Sequence, residues 1–182
     1  MAHMTIMRGG PGSGKSRIVA NLLTLYTGSG HQLRVYSADE FFINDSGEYE
    51  FDPKWLGRAH GSCLKGCVES IMRGDDIIID NTNSKPQELI PYLALCQAFS
   101  YSCGVLRALC DPEVAWARQT HDVPRPKFDE IHTTVAQQKI PKLFRDAPWL
   151  FSKDVWTDCN CGVSLGLRGD HEGQCTNTYL QR

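Results

Sequence analysis

The stretch Gly9-Gly10-Pro11-Gly12-Ser13-Gly14-Lys15-Ser16 satisfies G-x-x-x-x-G-K-[ST], and Thr5-Ile6-Met7 before it reads as a short β-strand. This pattern dictates a strand, a tight glycine turn and a helix, in that order. The turn must aim consecutive backbone N–H groups at an anion on the N-terminus of the following helix. Gly10, Pro11, Gly12, Ser13 and Gly14 form the cradle, Lys15 offers positive charge to the β- and γ-phosphates, and the Ser16 hydroxyl is placed to ligate Mg²⁺. The expected ligands are therefore ATP, or another nucleoside triphosphate, with Mg²⁺. The loop alone does not separate phosphoryl transfer from hydrolysis or sensing.

A length of 182 residues suits one α/β domain with a substantial core. No apolar run approaches the ~18 residues needed to cross a bilayer, and nothing at the start resembles a secretory signal. A soluble, cytoplasmic protein is expected, with no membrane partner. Residues 1–3 read as expression-vector residues ahead of a start at Met4, and they are left out of the expected fold. The eight cysteines are spread over a chain with enough apolar residues to fold without staples, so reduced thiols are expected. A formal charge of −2 argues against extensive binding along a polyanion. A nucleic-acid end, a short oligonucleotide or a small molecule remains open as partner, and so does the oligomeric state.

Past the cradle, Ile18, Val19, Leu22, Leu23 and Leu25 recur at helical spacing up to Gly28-Ser29-Gly30. Leu33 to Ser37 reads as a second strand that delivers Asp39 to the same sheet edge as the cradle. Asn44 to Glu48 forms a polar turn, and Asp52-Pro53 caps a helix expected from about Lys54 to Arg73, burying Leu56, Leu64, Val68 and Ile71. Cys63 and Cys67 on that helix read as small buried groups rather than metal ligands. Ile77-Ile78-Ile79 is a buried strand presenting Asp80, Asn81 and Asn83, and a helix starts at Lys85-Pro86. Tyr101 to Cys110 is a fourth strand. Asp111-Pro112 opens a short helix that breaks at Val123-Pro124-Arg125-Pro126, and Phe128 to Gln138 is helical.

Strands alternating with helices specify an α/β fold, a P-loop-type, doubly wound and mostly parallel sheet with helices on both faces and a helical lid. The expected division is a domain over residues 4–156 and a Cys- and Gly-containing tail over 157–182. In the tail, Cys159, Cys161, His171 and Cys175 could hold zinc or simply belong to a weakly ordered end.

Phosphoryl transfer to a hydroxyl needs a group to accept the hydroxyl proton, a metal partner and a cation over the transferring phosphate. Asp39 is the candidate base, with a helix cap as its structural alternative. Asp80 is the candidate Mg²⁺ partner through water. Arg118, ahead of the Pro-bounded break, is the candidate lid cation, and Arg125 stands second for nucleotide contact. His60 is either packed or in contact with substrate.

Together, residues 9–16, Ser37-Ala38-Asp39-Glu40-Phe41-Phe42, Phe51-Asp52-Pro53, Ala59-His60, Ile79-Asp80-Asn81-Thr82-Asn83, and Arg118 ahead of Val123-Pro124-Arg125 resemble the P-loop polynucleotide kinase family, over about residues 5–140. The resemblance implies transfer of the ATP γ-phosphate to a 5′-hydroxyl of DNA or RNA, with Asp39 as general base, Lys15 and Ser16 at phosphate and magnesium, and Arg118 in the lid. The phage enzyme of that family has an arginine three residues after its base, where this chain has Phe42. Its third strand ends in Asp-Thr-Asn, where this chain has Asn81-Thr82-Asn83 with the acid one place earlier. Phe41 and Phe42 could stack on a base or fill core. A kinase of another hydroxyl (a modified base in DNA, a nucleoside or a small metabolite) and a non-catalytic nucleotide switch are the alternatives.

Overall fold

A computed structural model describes residues 1–26 and 32–157. The elements are β1 (His3–Arg8), α1 (Lys15–Leu25), β2 (Leu33–Tyr36), α2 (Leu56–Arg73), β3 (Asp76–Ile79), α3 (Pro86–Ala98), β4 (Ser102–Leu109), α4 (Pro112–Arg118), α5 (Arg125–Gln137), α6 (Lys142–Arg145) and β5 (Leu150–Trp156). Single 3-10 turns cover Asp39–Phe42 and Pro53–Trp55. The strands form one sheet in the order β2-β3-β1-β4-β5, every pair parallel, so the strand that feeds the cradle is central.

Alternation along each strand divides the core into two layers. Met4, Ile6, Ile77, Ile79, Cys103 and Val105 pack beneath α2 and α3, against Cys67, Ile71, Leu89, Leu93 and Cys96. Met7, Ile78, Leu106 and Ala108 face the other way, onto Ile18 and Val19 of α1. Both faces of the sheet are covered, which is why Ile77-Ile78-Ile79 is apolar without interruption. Cys63, Cys67, Cys96, Cys103 and Cys110 are free thiols in the interior. Among the described residues, no helix is long and apolar enough to cross a membrane.

Several expectations need correction. A fifth strand, β5, lies at the sheet edge. Its charged Lys153 and Asp154 concealed it, because an edge strand can leave most of its side chains in water. Asp154 is paired with Arg107 of β4. Helix α2 begins at Leu56, after the 3-10 turn that Asp52 caps by accepting from Lys54 N at 3.0 Å. Leu56, expected to be buried, is exposed. His3 is part of β1: its backbone N–H donates to Asp76 Oδ1 at 2.7 Å, and its ring stacks on Phe151. Gly28-Ser29-Gly30, Cys159, Cys161, His171 and Cys175 lie outside the described residues.

Candidate functional site

The carboxyl ends of β1, β2 and β3 open on one cleft of about 1280 Å³, bounded by the cradle, the 38–56 segment, the loop after β3 and the α4–α5 region. A parallel sheet puts its strand ends, and the loops that follow them, on one edge. Pro11, Gly12, Gly14, Lys15, Ser16, Asp39, His60, Asp80 and Arg118 all line the cleft. The residues singled out from widely separated sequence positions therefore meet.

The cradle is built so tightly that two of its glycines have no substitute. Gly12 has φ +68°, and a Cβ there would stand 1.9 Å from the Ala115 carbonyl oxygen of α4. A Cβ on Gly10 would meet His132 Nε2 at 2.3 Å. Gly12→Ala is expected to weaken ATP binding by at least about tenfold, read by titration calorimetry, because loop and α4 must both move to admit the methyl group. Affinity within about twofold of wild type would contradict this geometry.

Two residues brace the cradle from outside, and neither is suggested by any local motif. His132 of α5 stacks on Phe128 with ring centroids 4.3 Å apart, and its Nε2 hydrogen-bonds the Pro11 carbonyl at 2.9 Å. Burial holds the imidazole below its ordinary pKa against the opposing effect of that carbonyl, and the Lys15 charge pushes in the same direction as burial. A neutral ring with its proton on Nε2 fits this role. Thr157, expected as the first tail residue, is fully buried, and its hydroxyl donates to the Ser13 carbonyl at 2.8 Å.

Lys15 Nζ donates to the Gly10 carbonyl at 3.1 Å. Burial lowers its pKa, while the Asp80 and Asp39 carboxylates oppose the change. Burial likewise raises the Asp80 pKa, with Lys15 and the Ser16 hydroxyl opposing it and Asp39 adding to it. These four groups thus form one coupled electrostatic set. Ser16 Oγ lies 3.4 Å from Asp80 Oδ2, and Asp80 Oδ1 is buried with no hydrogen-bond partner among the described residues. A hydroxyl beside a carboxylate with an unsatisfied oxygen fits a hydrated, oxygen-liganded Mg²⁺. Ser16 and Asp80 are the residues that could hold it.

Asp39 is exposed at the start of the 3-10 turn that follows β2, and its Oδ1 accepts from Tyr49 Oη at 3.4 Å. His60 is half-buried on the cleft wall.

Of the remaining expected site residues, Asn81, Asn83 and Arg118 line the cleft, while Phe41, Phe42 and Arg125 do not. Asn81 is a strut: its Oδ1 accepts from Ala38 N at 2.7 Å, and its Nδ2 lies 3.4 Å from Cys63 Sγ. Asn83, fully buried at φ +46°, donates to the Met7 carbonyl at 2.7 Å. Both border the cleft while their amides hold neighbouring strands and turns together. Phe42 is only 5% exposed and packs with Ala38 and Ala59, whereas Phe41 turns to solvent away from the cleft. Arg125 also lies off the cleft wall. It pairs with Glu113 and with Asp129 and rests over the Trp116 ring, so its positive charge joins α4 to α5. Arg118 does line the cleft, with Nη1 donating to the Thr157 carbonyl at 2.9 Å.

Comparison with known proteins agrees with this architecture. NEDD4-binding protein 2 of Homo sapiens is 33% identical over 159 residues, covering 84% of this chain and 8% of that protein. The chain thus spans a small fraction of that relative's length. Among solved structures, Kti12 of Chaetomium thermophilum, in complex with ADP-AlF3, superimposes with a TM-score of 0.57 at 17% identity, over 83% of this chain and 88% of that one. A chain of the Pnkp1/Rnl/Hen1 complex gives 0.53 at 18% identity, over 69% of this chain and 42% of that one. At such identities the likeness is one of fold. Residues 4–137 match the AAA domain family. The chain belongs to that family, as a nucleotide-binding P-loop domain of kinase-like fold.

Proposed function

We propose that the chain is an ATP-dependent phosphotransferase that moves the γ-phosphate to the 5′-hydroxyl end of DNA or RNA. The observation that carries this reading is Asp39, an exposed carboxylate opening on the same cleft as Lys15 and coupled to it electrostatically. An exposed carboxylate facing the cradle, in contact with Tyr49 Oη, is placed to meet an acceptor hydroxyl. In the proposed reaction the acceptor oxygen bonds to the γ-phosphorus as the bond from phosphorus to the β–γ bridging oxygen breaks, leaving ADP. Asp39 orients the hydroxyl and takes its proton. Lys15 and Arg118 hold the phosphates in line and balance the charge spread over them. Bound at Ser16 and Asp80, Mg²⁺ would supply further charge neutralisation.

The motifs that resemble the polynucleotide kinase family support a nucleic-acid acceptor, and the overall charge of −2 supports an end rather than a long tract. One observation favours a second acceptor class. Phe42 occupies the place of the phosphate-holding arginine and is buried, which suits a hydroxyl with fewer phosphates near it, on a nucleoside or a modified base. γ-Labelled ATP offered with 5′-hydroxyl oligonucleotides, 5′-phosphorylated controls, modified-base DNA and nucleosides tests the assignment. Label is expected on 5′-hydroxyl ends alone and is expected to vanish when Mg²⁺ is chelated. Label found only on nucleosides or bases would transfer the assignment to the second class.

A further inference from the structure

The wall of the cleft beside Asp39 carries an unusual surface. Ile43, Tyr49, Phe51 and Leu56 line it, yet Tyr49 is 38% and Phe51 51% exposed. Their rings are nearly parallel, 12° apart with centroids at 6.5 Å. Phe51 is backed by the buried Phe42 at 5.0 Å, so the platform rests on the core instead of swinging from a loop. The backbone beneath it is fixed as well: Ile43 bridges Tyr49 in antiparallel register, and Glu50 N donates to the Phe42 carbonyl at 2.8 Å. Tyr49 also touches His121 of the α4–α5 turn, with ring centroids 4.8 Å apart. Because its hydroxyl reaches Asp39, whatever lies on this ring is within one side chain of the reacting carboxylate.

Chemistry narrows the choice of occupant. Asp39 and Glu40 adjoin the platform on the cleft wall, while the cations of the cleft, Lys15, Arg17, Lys85, Arg118 and Lys127, stand on the cradle and its helix, the loop after β3 and the α4–α5 region. A flat, neutral ring laid on the exposed aromatic faces gains apolar contact and stacking. We propose that Tyr49 and Phe51, flanked by Ile43 and Leu56, form a subsite that stacks on the base of the acceptor nucleoside carrying the reacting hydroxyl. This assignment rests on reading Asp39 as the base for that hydroxyl. The aromatic contact that Phe41 and Phe42 suggest in the sequence is thereby moved to residues further along the chain.

The test uses the full chain, labelled ATP and two 5′-hydroxyl oligonucleotides of one sequence, one of which has an abasic 5′-terminal residue. The abasic end is expected to show a KM higher by at least about tenfold. Tyr49→Ala and Phe51→Ala are each expected to raise KM for the intact end by about tenfold while leaving KM for the abasic end and for ATP unchanged. Tyr49→Phe keeps the ring and is expected to keep the wild-type KM for the intact end. Equal KM values for the two ends, or alanine variants that raise both alike, overturn the subsite while leaving the kinase reading intact. Absence of transfer to either end overturns both.

Discussion

Asp39→Asn is expected to lower phosphoryl transfer by about 10²–10⁴-fold while leaving ATP affinity within about threefold of wild type. The amide is nearly isosteric with the carboxylate and can still accept the hydrogen bond that Tyr49 Oη makes to Oδ1. What it cannot do is take a proton from an acceptor hydroxyl. Asp39 is exposed, so a fold defect is not expected to contribute. Steady-state transfer alongside calorimetric ATP titration separates the two quantities. A nucleotide switch with no acceptor chemistry would leave ATP turnover unchanged in this variant, and that result would remove Asp39 from the mechanism.

Arg8→Ala is expected to have the largest effect on stability. Arg8 stands at the end of β1 and is only 2% exposed. Its Nε donates to the Asn83 carbonyl at 3.0 Å, Nη1 to Gln138 at 2.7 Å and Nη2 to Ser84 at 2.8 Å. One guanidinium therefore satisfies backbone from the loop after β3 and from the end of α5. Burial lowers its pKa, with the charge of Arg107 acting in the same direction and Glu88 and Asp154 opposing. Truncation leaves buried carbonyls without donors as well as a cavity, and a loss of about 3–5 kcal/mol is expected. For a chain of this size that is a fall of roughly 6–20 °C in thermal midpoint. Arg8→Lys should fall between the two, since a single ammonium cannot reproduce the planar fork. A loss below about 1 kcal/mol in Arg8→Ala would show that water replaces the guanidinium without penalty.

What could be read from the sequence was what is encoded locally. The cradle, the αβ alternation and the carboxylates at strand ends are written in contiguous residues, and parallel topology then brings Lys15, Asp39 and Asp80 together. The features that escaped are of another kind. Strand β5 lacks an apolar run because it lies at an edge. His132 and Thr157 act on residues more than a hundred positions away, so no window of sequence contains both partners. Asn81 and Asn83 look like active-edge residues because they follow a buried strand. They do border the cleft, and each also holds backbone: Asn81 Oδ1 accepts from Ala38 N and Asn83 Nδ2 donates to the Met7 carbonyl, while Asn83 Oδ1 is buried with no partner among the described residues. Two positive charges of α5 have acidic partners that its sequence alone does not reveal. In space, Arg125 is matched by Glu113 and Asp129, and Lys127 by Glu130.

The hydroxyl of Thr157 on the carbonyl of Ser13 has a consequence for how the chain is made. A ribosome releases the phosphate loop and the central strand that precedes it before that strand's neighbours in the sheet exist. The brace from α5 arrives much later, and the brace from residue 157 later still, after the edge strand. The phosphate loop is thus written early in these elements, while the contacts that brace it are complete only after the last strand has been made.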